Sequence, residues 1–305
     1  MTEIALPDLT LLNILLGLMM FGVALTLRPA DFVRIVKAPR APAAGLVAQF
    51  VLLPAGTCLA AWLLPVSAEV ALGMMLVAAC PGGSFSNILT WLARGNVAVS
   101  VSMTAVSSLA ATVLTPLNFA LYGTLNPRTR DLMTDISLDR VDLLLLVLLV
   151  LALPMALGML VGGRFPGFAA RSEKPWRIGS MLVFLAFVAI AFGNNLDLFL
   201  DEIGTFFWVV VGHNALALLL GQLIGRGLRM PVSDRRAVTL EVGIQNSGLG
   251  LVIAFTFFPE LGGVLLVAAF WGVWHLVSGL TLAQVWSRRP LPADDPVHRD
   301  PVGAR

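Results

Sequence analysis

Pro81-Gly82-Gly83-Ser84-Phe85-Ser86-Asn87 and Glu241-Val242-Gly243-Ile244-Gln245-Asn246-Ser247-Gly248 are the two stretches that decide how this chain folds. Each interrupts an apolar run that is otherwise long enough to cross a bilayer. In hydrocarbon an unpaired backbone amide costs several kcal/mol, so a helix breaks at membrane depth only where protein, water or a ligand satisfies the freed groups. A pair of such breaks points to a transporter whose substrate site lies where they meet.

The rest of the sequence agrees with that setting. Of the 305 residues 58% are apolar and 12% charged, against about 25% charged in a soluble domain, and the mean hydropathy is +0.88. The chain reads as an all-α integral membrane protein. Measured against the roughly 20 residues a spanning helix needs, the apolar runs give nine transmembrane helices, near 9–27, 41–64, 69–92, 97–122, 142–163, 178–197, 203–225, 236–258 and 261–286. Residues 1–287 then form a single transporter domain, and 288–305, with four prolines and mixed charge, are expected to be a disordered and dispensable tail. The first run follows an acidic residue and lacks a small-residue cleavage site, so it reads as a retained helix.

Alternating the loops across the membrane puts seventeen of the twenty Lys and Arg residues on one side and leaves Arg128, Arg130 and Arg140 on the other. By the positive-inside rule the N-terminus is outside and the C-terminus cytoplasmic, in a multi-pass protein of the plasma membrane. The net charge of +2 gives no reason to invoke nucleic acid. Cys58 and Cys80 both lie in apolar spans without partner cysteines and read as small core residues. The interrupted helices are third and eighth in order, and an odd offset reverses direction. That is the spacing of an inverted repeat with two discontinuous helices crossing near the midplane.

Glu241 is the acidic residue lying inside an apolar run, where a charge costs roughly 2.5 to 3.5 kcal/mol. One way to offset that cost is pairing with Arg236 near the interface. The other is a cation, since Gln245, Asn246, Ser247 and the backbone freed at Gly248 supply oxygen ligands, which suit hard ions. A single carboxylate could bridge two Na+ sites. Ser100, Thr104, Ser107 and Ser108 recur on one face of the fourth span and serve either ions or close helix packing. Gln49 is a buried amide in need of a partner. His275 beside Trp274, and His213 beside Asn214, could relay protons or hold interhelical hydrogen bonds.

Several motifs together give a family resemblance. Residues 20–27 (MFGVALTL), Gln49-Phe50 with Pro54, Cys80 to Asn87, residues 92–98 (LARGNVA), Thr239 to Gly248 and Trp274-His275 resemble the bile acid:sodium symporter family over nearly the whole chain. The resemblance implies a core domain with the two crossing helices and a panel domain of spans one, five and six. It implies one sodium site at Ser86, Asn87, Ser100, Thr104 and Glu241. A second would use Gln49, Glu241, Val242, Ile244 and Gln245. It also implies an anion cleft near Ser84 and Asn246, with His275 counted among the substrate-facing residues. The chain departs from the pattern in having nine spans where many bacterial relatives have ten, Ser84 where Thr is frequent and Leu276 where Asn is frequent.

The expected activity is sodium-coupled symport of an organic anion by alternating access, either a bile acid or a small carboxylate such as pantoate or a 2-oxo acid. The expected partners are two Na+ ions, the anion and the bilayer, with no cofactor and no protein partner. Proton coupling through Glu241 is the alternative. An intramembrane enzyme or a channel is disfavoured, because the chain has no phosphate-binding loop, no His-Glu-x-x-His and no paired catalytic carboxylates.

Overall fold

The computed structural model describes residues 9–25, 27, 33, 36–135 and 152–295. Helix follows helix along these residues: α1 (Leu9–Ala24), α2 (Arg40–Leu63), α3 (Ala68–Ala79), α4 (Phe85–Leu92), α5 (Val97–Leu125), α6 (Arg130–Asp135), α7 (Leu153–Arg164), α8 (Pro166–Asn194), α9 (Leu196–Asp201), α10 (Ile203–Gly227), α11 (Val232–Gly243), α12 (Ser247–Phe257) and α13 (Gly262–Ser287). Among the described residues α2, α5, α8, α10 and α13 are each long and apolar enough to cross a membrane, and α3 and α12 are shorter apolar helices. The all-helical membrane class read from the hydropathy is therefore the observed one.

Local chemistry explains several boundaries. Asn96 caps α5 by accepting from the backbone of Ala98 and Val99 at 3.1 and 3.3 Å, Ser67 caps α3 through Val70, and Asn246 caps α12 through Leu249 at 3.1 Å. α4 and α10 end in turns that place Arg94 and Arg229 at φ 55° and 51°, the left-handed geometry that frees a helix terminus to reverse. α8 starts at Pro166, well before the span expected near 178–197, because proline suits the first helical position, where no N–H is needed. The span expected near 142–163 is represented by α7, and its residues before 152 lie outside the described part.

Hydrogen bonds missing from the helices are supplied by neighbours. Inside α2, a π-helical turn at Ala48–Leu52 precedes Pro54, whose nitrogen cannot donate to the previous turn. The Phe50 carbonyl accepts instead from Asn118 Nδ2 of α5 at 2.9 Å. The Ala79 carbonyl at the end of α3 accepts from Thr115 of α5 at 2.7 Å. In hydrocarbon such repairs are what make a broken helix tolerable.

The core lies along α3, α12 and α13. Every residue from Val70 to Ala79 is buried, as is every residue from Ser247 to Phe255. Trp271, Phe206, Phe255, Met74 and Met103 are the large side chains fully enclosed there. α1, α7 and α8 pack on one another, and α1 and α8 reach this core through α12 and α13.

The segment after α13 differs from the expectation of disorder from residue 288 onward. Residues 288–295 pack back on the start of α11, with the Arg289 carbonyl accepting from Arg236 and a buried Asp295 accepting from Ser233. Composition alone misses this because the apolar content is low and the ordering comes from two specific polar contacts. Residues 296–305 lie outside the described part.

Candidate functional site

The two breaks run antiparallel to each other. Gly83 N donates to the Ile244 carbonyl at 2.7 Å and Asn246 N donates to the Pro81 carbonyl at 2.8 Å, forming an isolated bridge between Gly82 and Gln245. Each break thus satisfies polar groups the other exposes, by β-type pairing within a helical protein. The glycines make the approach possible. A Cβ on Gly83 would lie 2.9 Å from the Gln245 carbonyl oxygen, and one on Gly82 would collide with the Glu241 carboxylate.

Glu241, three residues before the second break, is fully buried. Its Oε2 accepts from Ser100 at 2.9 Å and from Ser86, and its Oε1 accepts from Thr104 at 2.7 Å. Ser86 comes from α4, Ser100 and Thr104 from α5. Their i, i+4 spacing puts both α5 hydroxyls on the face toward α11. Asn87 adjoins the cluster, its Oδ1 lying 3.3 Å from the Thr104 hydroxyl oxygen, and Thr90 donates to Ser100 at 3.3 Å.

The pairing of Glu241 with Arg236 does not form. Arg236 donates to the Ala93 carbonyl at 2.7 Å and the Arg289 carbonyl at 3.0 Å, and its guanidinium lies 6.0 Å from the Trp286 ring. The carboxylate is surrounded by hydroxyl donors, whose oxygens can turn a lone pair toward a cation as readily as a proton toward the carboxylate.

A second oxygen cluster adjoins it on the α2 side. Gln49 Nε2 donates to the Cys80 carbonyl at 2.9 Å and to Gln245 Oε1 at 2.6 Å. Gln245 Nε2 donates to the Val242 carbonyl at 2.9 Å. Gln49 Oε1 is buried without a hydrogen-bond partner, a costly state for an amide oxygen. With the Val242 and Ile244 carbonyls close by in the chain, these are oxygens of the kind that hard cations take.

Ser84, Asn246 and His275, expected to face the substrate, line one cavity of about 620 Å³ together with Asn87, Thr104 and Gln245. Met19 and Met20 of α1 and Glu173, Trp176, Ser180 and Phe184 of α8 line the same cavity. The cavity therefore reaches the carboxylate cluster through Thr104 and Asn87, and its α1 and α8 residues mix apolar side chains with Glu173 and Ser180. His275 is buried and its Nδ1 has no partner.

Other flagged residues have structural partners. His213 Nε2 and Thr57 Oγ1 are 2.7 Å apart and join α10 to α2, and the His213 ring lies 4.6 Å from that of Trp271. Asn214 Nδ2 donates to the Gly243 carbonyl freed at the end of α11, at 2.8 Å. Ser107 bonds within its own helix, to the Thr104 carbonyl at 3.2 Å. Cys58 and Cys80 are both free.

The sequence reading missed Thr90 and the α8 wall. Thr90 lies one helical turn after Ser86, a spacing that could have flagged it. The α8 residues carry no local signal, since a Trp or Phe in an apolar span is ordinary.

The model of the Sodium Bile acid symporter family matches residues 13–202. The chain is 34% identical over 278 residues to YocS of Bacillus subtilis (strain 168), named as an uncharacterized sodium-dependent transporter, covering 91% of this chain and 83% of that one. It is 29% identical over 262 residues to the ileal sodium/bile acid cotransporter of Homo sapiens, covering 82% and 71%. The relatives are transporters rather than enzymes, and a buried carboxylate ringed by hydroxyls at a helix crossing suits an ion-coupled carrier. The chain belongs to the sodium bile acid symporter family.

Proposed function

We propose that this protein couples the entry of two Na+ ions to that of one organic anion. The observation that carries the reading is the buried Glu241 carboxylate, which gathers the hydroxyls of Ser86, Ser100 and Thr104 where the two broken helices cross. One ion would sit among Ser86, Asn87, Ser100, Thr104 and Glu241. The other would sit among Gln49, Glu241, Val242, Ile244 and Gln245, with the unpartnered Gln49 oxygen as a ligand. One carboxylate shared by two monovalent cations leaves a net positive charge beside the cavity, which favours an anion there.

The cavity wall supports an anionic cargo. The first residues of α4 and α12 line it, and helix N-termini present a positive dipole end. Ser84, Asn246 and His275 supply polar contacts, and the Met19, Met20 and Phe184 side takes an apolar body. A small carboxylate and a bile acid both meet this description. In this reading α1, α7 and α8 form a panel that moves against the core, the N-terminus is outside the plasma membrane, and the two halves of the chain are an inverted repeat.

Two Na+ with a monoanion carry net charge inward, so uptake is electrogenic. The test is the melting temperature of purified protein in Na+ against K+, for wild type and Glu241→Ala, followed by an anion screen in Na+. Ligands specific to the native state stabilise it by mass action, by about 2.7 kcal/mol at a hundredfold excess over Kd. Na+-specific stabilisation lost in the variant supports the site. Equal melting in both salts, with an anion still stabilising, overturns sodium coupling in favour of protons.

A further inference from the structure

The last described residues turn back onto the helix that carries Glu241. Asp295 is 3% exposed. Its Oδ2 accepts from Ser233 N at 3.1 Å and its Oδ1 from Ser233 Oγ at 2.5 Å. Ser233 lies in the first turn of α11, so Asp295 satisfies a backbone donor that the helix leaves open and sets a negative charge at its positive end.

The same turn holds α5. The Ser233 carbonyl accepts from Asn96 N at 3.0 Å, and Asp234 Oδ1 accepts from Asn96 Nδ2 at 2.8 Å. Asn96 is the N-cap of α5. One carboxylate from the tail therefore fixes the start of α11, which fixes the start of α5. Downstream along these two helices lie Glu241, and Ser100 with Thr104. At 1.5 Å rise per residue they stand about 6 to 12 Å from the junction. Helices transmit a sliding movement with little loss, so register at the junction sets the hydroxyl-to-carboxylate distances at the cage.

We propose that Asp295 is a positioning residue for sodium binding, a latch from the C-terminal segment that holds α5 and α11 in the register the cage needs. The inference rests on the sodium reading above and concerns regulation of that same site. Releasing the latch weakens Na+ binding without touching a ligand, and anything that draws the tail away tunes the transporter.

The experiment measures binding of radioactive Na+ to the purified full-length protein at constant ionic strength, for wild type, Asp295→Ala, Asp295→Asn, Ser233→Ala and the double variant Asp295→Ala/Ser233→Ala. Melting in K+ alone is recorded for each. The expected result is a rise of about three- to tenfold in half-saturating Na+ for Asp295→Ala, the range that coupling residues produce. The double variant should add little to either single change, because the two residues act as a unit. Asp295→Asn keeps the shape and is informative should the alanine variant fold poorly. Lower melting in K+ with unchanged half-saturating Na+ in both Asp295 variants would reduce the contact to plain stability and overturn the latch alone. Wild type that binds no Na+ would overturn the sodium reading and the latch with it.

Discussion

Gln49 and Gln245, 196 residues apart in sequence, meet through Nε2 and Oε1 at 2.6 Å. This contact ties the π-helical turn of α2 to the second break and leaves Gln49 Oε1 buried without a partner. The orphaned oxygen belongs to the second of the two ion sites proposed above, so the residue separates the sites experimentally. In Gln49→Ala the Hill coefficient for Na+-driven uptake is expected to fall from near two toward one, with Na+ still required. A coefficient unchanged at equal expression would rule out Gln49 as a ligand.

Glu241→Gln keeps the side-chain shape and removes the charge. Three hydroxyls now serve that carboxylate, but taking a charge out of water is costly even when it is well bonded, and a neutral amide avoids that cost. The variant should therefore melt at or above wild type in K+ while losing the extra stability conferred by Na+. Retained Na+ stabilisation in a differential scan would exclude the carboxylate from the ion site.

Glycine at the crossing is a steric requirement. A Cβ at Gly83 would approach the Gln245 carbonyl to 2.9 Å and one at Gly82 would strike Glu241. Overpacking of this kind costs about 1 to 3 kcal/mol. Gly82→Ala and Gly83→Ala are expected to lower the melting temperature and abolish uptake. Gly212→Ala, inside α10 where a Cβ meets nothing within 4 Å, should melt at or above wild type, since alanine gains about 0.5 to 1 kcal/mol over glycine in a helix. Wild-type uptake in Gly82→Ala would show that the breaks need not lie so close.

Asn214 repairs a broken end. It donates to the Gly243 carbonyl at 2.8 Å and accepts from Ser278 at 2.5 Å. Asn214→Leu leaves a buried carbonyl without a donor, a loss of about 1 to 3 kcal/mol, and should lower thermal stability in Na+ and K+ alike. An unchanged melting temperature in detergent and in bilayers would show that water replaces the amide.

Ser180 of α8 lines the same cavity as Ser84 and Asn246. Ser180→Trp should fill the cavity. Uptake is expected to vanish while Na+ stabilisation persists, since Ser180 makes no part of the carboxylate cluster. Loss of both together would mean that the cavity and the ion site do not separate this way.

Much of this protein follows from local properties that can be read along the chain. Hydropathy marks the apolar helices, five of them long enough among the described residues to cross a membrane, because each spanning helix must meet the bilayer by itself, and the two breaks stand out because unpaired backbone is so costly in hydrocarbon. Glu241, Gln245, Ser100 and Thr104 were visible as polar groups where polar groups need a reason. What surrounds each of them was decided only in three dimensions. The sequence left open whether Glu241 faces Arg236 or oxygen ligands, and the folded chain gives it Ser86, Ser100 and Thr104. The α8 wall of the cavity and the docking of Asp295 on Ser233 likewise join residues far apart in the chain. Such contacts depend on how helices cross, and composition and periodicity carry no information about crossing partners.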